Sequence, residues 1–195
     1  PAKRLAANLS SLESVVHGAA PCPPDVKRNM INWWGPIVHE YYGSTEAGLI
    51  TFVTSSQWLE KKGTVGQPLP NSVVRIYGEE GQILNPGEIG DIFVNLAVGA
   101  GFTYHNDEKK RAEIERDGLI TNGDRGYLDE DNFLFLCDRK ADMVISGGVN
   151  IYPAEIEAIL IGLEGVSDCA VFGIPDTEYG EALGAAIETH PNANL

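Results

Sequence analysis

The chain has 195 residues, 43% of them apolar and 22% charged, which is enough to bury a core without disulfide or metal staples. A formal net charge of −14 excludes a basic footprint for nucleic acid or for an anionic membrane surface. An anionic substrate must therefore be held by local donors or a metal, against the overall field. In chain order, residues 12–17 read as a short buried strand ending on the small-residue turn Gly18-Ala19-Ala20-Pro21. Pro23 and Pro24 open a predicted helix with Val26, Met30 and Trp33 on one face, closed by Gly35-Pro36. Residues 36–41 return as a strand and deliver YYGSTEAG (41–48) at its carboxyl end. Strand, helix, strand is the order of a parallel α/β sheet, where ligands gather beyond the carboxyl ends of strands.

From about Thr64 the pattern changes. Short strands are predicted at 73–77, 91–96 and 119–121, and a hairpin at 126–128 and 133–137 across Asp129-Glu130-Asp131-Asn132. Together they predict a small antiparallel barrel or sheet, interrupted by an acidic helix over 107–115 after an Asn106 cap. After Arg139 the α/β pattern resumes. Ser146-Gly147-Gly148-Val149-Asn150 reads as a loop, and Pro153 suits the first turn of a helix with Ile156, Ile159, Leu160 and Leu163 as its apolar stripe. Strands follow at 169–174 and 183–189.

Cys22, Cys137 and Cys169 lie far apart with no C-x-x-C pair, which predicts reduced, buried thiols and a cytoplasmic setting. No run approaches the ~18 apolar residues of a membrane span. No apolar stretch of a secretory signal follows Lys3 and Arg4, and the chain, opening on Pro1, is read as a piece of something longer.

The stretch 41–48 crowds two aromatic rings, glycines, hydroxyls and one carboxylate into eight positions. A tyrosine at a strand end can stack on a flat heterocycle, and a glycine beside it lets backbone approach a ligand. Thr45 offers a hydroxyl to a phosphate oxygen and Glu46 a hard oxygen for Mg2+. The same residues also suit a strand end whose tyrosines pack in the core while Thr45 and Glu46 cap a turn. Asp124, in Asn122-Gly123-Asp124, can accept both hydroxyls of a ribose or close an Asx turn. Arg139 can bring a planar fork of donors to the same ribose or phosphate, or serve as a surface ion-pair former. Ser146-Gly147-Gly148 is no P-loop, since no Lys-Ser or Lys-Thr follows, and Gly99-Ala100-Gly101 is too short for a dinucleotide fingerprint. His17, His39, His105 and His190 show no metal-ligand spacing, and none is read as catalytic.

Taken together, GAAP (18–21), YYGSTEAG (41–48), PGEIGDIFV (86–94), NGDRGYLDEDNFLFLCDRKADMVISGGVNIYPAEIE (122–157) and GIPDTEYGEA (173–182) resemble the adenylate-forming superfamily. That superfamily comprises acyl-CoA synthetases, nonribosomal peptide adenylation domains and luciferases. The resemblance runs from about Leu12 through nearly the whole chain, and residues 137–157 look most like bacterial fatty-acyl or aryl-acid CoA ligases.

The resemblance implies a ligase that converts a carboxylic acid and Mg-ATP to an acyl-adenylate, then transfers the acyl group to the thiol of coenzyme A. It implies that Gly18, Ala19 and Ala20 line the adenine and acyl pocket and that Tyr41, Tyr42 and Gly43 lie at the adenine. Thr45 would meet the phosphate, Glu46 hold Mg2+, and Asp124 and Arg139 take the ribose of ATP or AMP. Ser146, Gly147 and Gly148 would help to form the coenzyme A channel. It further implies a large domain over 1–139, with an α/β portion (1–63) and a β-rich subdomain (64–139). A small domain over 140–195 would follow a hinge near 139–141, where Ala141 stands at the family's polar pivot position and Lys140 beside it. The family's upstream phosphate loop and C-terminal catalytic lysine do not appear in this sequence, so the polypeptide alone is expected to be inactive in adenylation. The alternatives are a non-catalytic nucleotide- or protein-binding remnant, and an adenylation domain that loads a carrier-protein thiol.

Overall fold

The computed structural model describes residues 7–95 and 102–191. The predicted strand end at Leu96, the Gly99-Ala100-Gly101 run, and Lys3 and Arg4 lie outside the described residues. Strand β1 (Val15–His17) and β2 (Val38–Ser44) pair in parallel around helix α1 (Pro24–Trp34). Pro24 starts α1 where its missing N–H has no intrahelical partner to lose, and Gly35 stops it at φ 87°. The buried face of α1 is Lys27 and Ile31, one turn apart, with Met30 and Trp34 packed on the same cluster. Of the predicted Val26/Met30/Trp33 face only Met30 reaches the core, since Val26 and Trp33 are 48% and 38% exposed. A lysine displaces them because its ammonium has a buried partner, described below.

β3 (Gly48–Val53) returns antiparallel to β2 and leads to α2 (Ser55–Glu60). A capping box starts α2, with the Gln57 N–H donating to Thr54 Oγ1 and the Thr54 N–H donating to Gln57 Oε1. Then come β4 (Thr64–Pro68), β5 (Val74–Tyr77), β6 (Gly90–Val94), α3 (Glu108–Glu113), β7 (Glu115–Arg116), β8 (Leu119–Leu128) and β9 (Leu134–Arg139). These strands form one sheet in the order β1-β2-β3-β4-β9-β8-β6-β5, with β7 on β8. Among the described strands only β1 and β2 pair in parallel, so the expected α/β portion and β-rich portion share one mainly antiparallel sheet. The core lies along it: Tyr42, Ile50, Ile76, Ile92, Ile120 and Leu134 are buried together. Asp107, not Asn106, caps α3 by accepting the Lys110 N–H at 3.0 Å, while Asn106 takes the left-handed turn at φ 55°.

A second sheet follows: β10 (Val144–Ser146), β11 (Val149–Ile151), β12 (Val166–Asp176) and β13 (Gly180–Thr189), in the order β11-β10-β13-β12. Helix α4 (Pro153–Leu160) packs on β12, where Glu157 accepts the Val171 N–H at 2.7 Å. The expected loop at 146–150 is a hairpin, with Gly147 and Gly148 at φ 57° and 81° forming its two-residue turn. Both positions need left-handed backbone, which glycine adopts without steric cost. Ile159 is 68% exposed, and Leu163, 51% exposed, lies beyond the helix end, so the apolar stripe of α4 is narrower than predicted. All three cysteines are free and half-buried, and burial pushes the Cys137 thiol up to about 11.

Candidate functional site

The longest strand of the large sheet, β8, places Asp124 directly opposite Arg139 of β9. Asp124 Oδ2 accepts the Tyr42 hydroxyl at 2.6 Å, and Oδ1 lies 3.6 Å from Arg139 Nε. Tyr42 is 8% exposed; burial first, then the Asp124 charge, pushes its phenol upward, so it remains a donor. Arg139, by contrast, leaves its side chain largely in solvent. The result is a carboxylate locked on one oxygen, with an open guanidinium beside the other. Such a pair can take a vicinal diol: the carboxylate accepts from hydroxyls and the guanidinium donates to ring or phosphate oxygens.

The turn that carries Thr45 and Glu46 is tied to the same strand. Ser44 Oγ donates to Asn122 Oδ1 at 3.0 Å and accepts the Ala47 N–H at 3.0 Å. A register shift between Tyr42 and Gly43 re-aims the hairpin at this point. Gly43 packs against the Gly48 backbone too closely for a side chain. Thr45 is exposed, and Glu46 is half-buried with Oε1 accepting the Tyr104 hydroxyl at 3.2 Å. Lys110 of α3, whose N–H the Asp107 cap accepts, lies over the Tyr104 ring at 4.5 Å. Among the described residues no group of three or more His, Cys, Asp and Glu could hold a metal ion. One carboxylate with a free oxygen nevertheless fits Mg2+, which proteins hold through one or two carboxylates and the phosphates of a substrate.

Gly18 packs on Tyr41: a Cβ there would stand 2.6 Å from the Tyr41 ring and 2.7 Å from its carbonyl oxygen. Ala19 follows in left-handed backbone at φ 67°, uncommon for a residue with a Cβ, and Ala20 is exposed. The two tyrosines thus serve opposite faces of β2, Tyr41 toward Gly18 and Tyr42 toward Asp124. Ser146, Gly147 and Gly148 stay with their own sheet, where the Gly147 N–H donates to Tyr179 O at 2.9 Å and Ser146 pairs with Gly180. The sequence reading missed Tyr104, Ser44 and the buried Lys27–Glu40 pair. Strand parity was the available signal for the last, since Glu40 alternates with Val38 and Tyr42 on the inward side.

Among the described residues no helix is long and apolar enough to cross a membrane. Residues 1–98 match the family of AMP-binding enzymes, and residues 155–194 match the C-terminal domain of AMP-binding enzymes. A long-chain-fatty-acid–CoA ligase of Bacillus subtilis is 37% identical over 182 residues, covering 92% of this chain and 32% of the ligase. A feruloyl-CoA synthase of Amycolatopsis is 39% identical over 185 residues, covering 93% of this chain and 36% of the synthase. The chain therefore spans about a third of the length of these curated relatives. Among solved structures, o-succinylbenzoate CoA synthetase of Bacillus subtilis, in complex with an acyl-adenylate intermediate, matches with a TM-score of 0.85 at 31% identity. That match covers 95% of this chain and 38% of the synthetase. An amide bond synthetase of Marinactinospora thermotolerans matches with a TM-score of 0.87 at 32% identity, covering 98% of this chain and 40% of the synthetase.

Proposed function

Because the chain belongs to the family of AMP-binding enzymes, we propose that its residues form the nucleotide wall of an acid–thiol ligase. The observation that carries this reading is the Asp124 carboxylate held by the Tyr42 hydroxyl beside an open Arg139 guanidinium. Asp124 would accept from the ribose hydroxyls while Tyr42 fixes its rotamer, and Arg139 would donate to the ribose or phosphate oxygens. The Thr45 hydroxyl would donate to a phosphate oxygen, and Glu46 would offer its free oxygen to Mg2+, which neutralises phosphate charge when bound. Tyr41, Gly18, Ala19 and Ala20 would border adenine and acid. Residues 1–139 would belong to the large domain and 140–195 to the small one, with Ser146, Gly147 and Gly148 near the pantetheine path.

In the reaction, a carboxylate oxygen of the substrate attacks the α-phosphorus of ATP and pyrophosphate leaves. The sulfur of coenzyme A then attacks the acyl carbon and AMP leaves. A fatty or aryl acid and coenzyme A are favoured by the relatives that are a fatty-acid–CoA ligase and a feruloyl-CoA synthase. The likeness to an amide bond synthetase favours a second reading of the last step, with an amine in place of the thiol. The test is acid-dependent ATP–pyrophosphate exchange by the full-length protein, followed by product analysis with coenzyme A, a carrier-protein thiol or an amine as acceptor. Exchange should fall about tenfold or more in Asp124→Asn. Unaltered exchange in that variant removes the reading, and the acceptor consumed selects the second step.

A further inference from the structure

Glu40 lies on the inward side of β2, two residues before Tyr42, and is 8% exposed. Lys27 of α1, 1% exposed, donates to Glu40 Oε2 and stands 4.9 Å from the centre of the Trp58 ring. His17 of β1 is the register partner of Glu40, with Nε2 3.6 Å from the same Oε2 and without a hydrogen-bond partner. Cys22, in the loop leading to α1, is the remaining titratable group that faces the cluster. A lysine this deeply buried is rare and persists only when paired. An apolar plug of the same volume would often be as stable, so the charges point to a requirement for one geometry.

That geometry bears on the site, because His17 is joined to Gly18 and Glu40 to Tyr41. Gly18 and Tyr41 are in turn packed too tightly for even a Cβ between them. We propose that Lys27, Glu40 and His17 form one buried charge site that positions residues 18–20 against Tyr41. Lys27 is the standing counter-ion of Glu40, and His17 is its reserve. Lys27 and His17 are positioning residues, since they act through the loop and the tyrosine rather than on a ligand. The functional readout rests on the nucleotide wall proposed above; the charge site itself does not.

The electrostatics agree with this division. Burial lowers the affinity of His17 for a proton, Glu40 opposes that, and Lys27 adds to it. Burial likewise lowers Lys27, opposed by its hydrogen bond and attraction to Glu40. Removing the ammonium therefore removes a positive charge that opposes protonation of His17 and leaves Glu40 with His17 as its partner.

The experiment uses the full-length protein with Lys27→Met and Lys27→Met/Glu40→Gln. The His17 ring is followed by NMR against pH, and AMP affinity is measured at about pH 6 and about pH 8, either side of the ordinary histidine range. Wild type should show His17 titrating below its ordinary value of about 6.5 and an AMP affinity without a step from this cluster. In Lys27→Met the His17 midpoint should rise by about one unit or more, as a histidinium pairs with Glu40. AMP binding should weaken about tenfold at the higher pH, the factor that one pKa unit supplies, and recover to within about threefold at the lower. The double variant, which buries no unpaired charge and guards against misfolding of the single one, lacks both the pair and its reserve and should bind AMP more weakly than wild type by the same factor at both pH values. An unmoved His17 midpoint in Lys27→Met overturns the proposal, as does equal weakening of that variant at both pH values, or a double variant that binds AMP as wild type does or retains a pH step. If wild type itself binds no AMP, the nucleotide reading falls while the His17 midpoint still decides the charge site.

Discussion

Asp124 and Arg139 face each other as register partners across β8 and β9, yet the shorter bond of the carboxylate is to Tyr42, 82 residues away in sequence. The acid is therefore oriented from below by a buried phenol and left free on the side of the exposed guanidinium. Tyr42→Phe removes one hydrogen bond to a charged group, worth about 1.5–3 kcal/mol. AMP affinity of the full-length protein should fall about tenfold, with the larger loss in Asp124→Asn. Calorimetric titration of AMP checks this, and identical affinities for Tyr42→Phe and wild type would show that the phenol orients nothing.

Gly18→Ala puts a methyl group against the Tyr41 ring and carbonyl oxygen, with no flexible side-chain end to yield. Overpacking of this kind costs about 1–3 kcal/mol. A drop in unfolding midpoint accompanied by weaker nucleotide binding is expected, and Tyr41→Ala in the same chain should recover part of the lost stability. Failure of the second change to recover any would place the clash elsewhere.

The hairpin turn after β8 is pinned by Lys61, which reaches Asp129 at 2.7 Å and Asp131 at 2.6 Å. Burial pushes the Asp129 carboxyl up, but Lys61 and the N–H groups of Phe133 and Asp131 outweigh it and hold the carboxyl below its usual range. A lowered folded value gives stability that is complete above the unfolded value of about 3.9 and is lost as pH falls through the folded one. Lys61→Met should therefore be less stable than wild type at neutral pH, with the gap closing as pH drops below about 4. Urea unfolding at a series of pH values measures the gap; a constant difference would assign Lys61 a packing role over the Phe133 ring instead.

Much of the site could be read from the chain because a hairpin is a numerical constraint. The predicted strands flanking Asp129-Glu130-Asp131-Asn132 set Leu128 on Phe133; the hairpin is present, but its register lies one residue further, with Leu128 on Leu134 and Tyr127 on Phe135, where the two rings stack at 4.9 Å. Continued without interruption, the observed register would set Asp124 on Asp138. A bulge between Arg125 and Gly126 moves the partner by one residue, to Arg139, and nothing local in the sequence announces it. The alternative that puts Thr45 and Glu46 at a turn agrees with the structure, but the strands beyond it, β3 and β4, were not expected. The capping box at Thr54 was visible, but a six-residue helix carries too little periodicity to support it. The face of α1 was misjudged because apolarity was taken as the rule for burial, whereas Glu40 makes Lys27 the residue that must turn inward.

The large sheet has a narrow waist. β4 shares two register pairs with β3, Thr51 with Pro68 and Phe52 with Gln67, and two with β9, Thr64 with Phe135 and Gly66 with Leu134. Pro68 has no N–H to add to that ladder. Tyr42 stands on one side of this waist and Asp124 on the other, so their hydrogen bond crosses the sheet's mechanical seam, and Ser44 with Asn122 makes a second stitch. A nucleotide that engages both banks would act as a rivet through the seam. Its arrival should register as slowed amide exchange along β4, in strands it never touches.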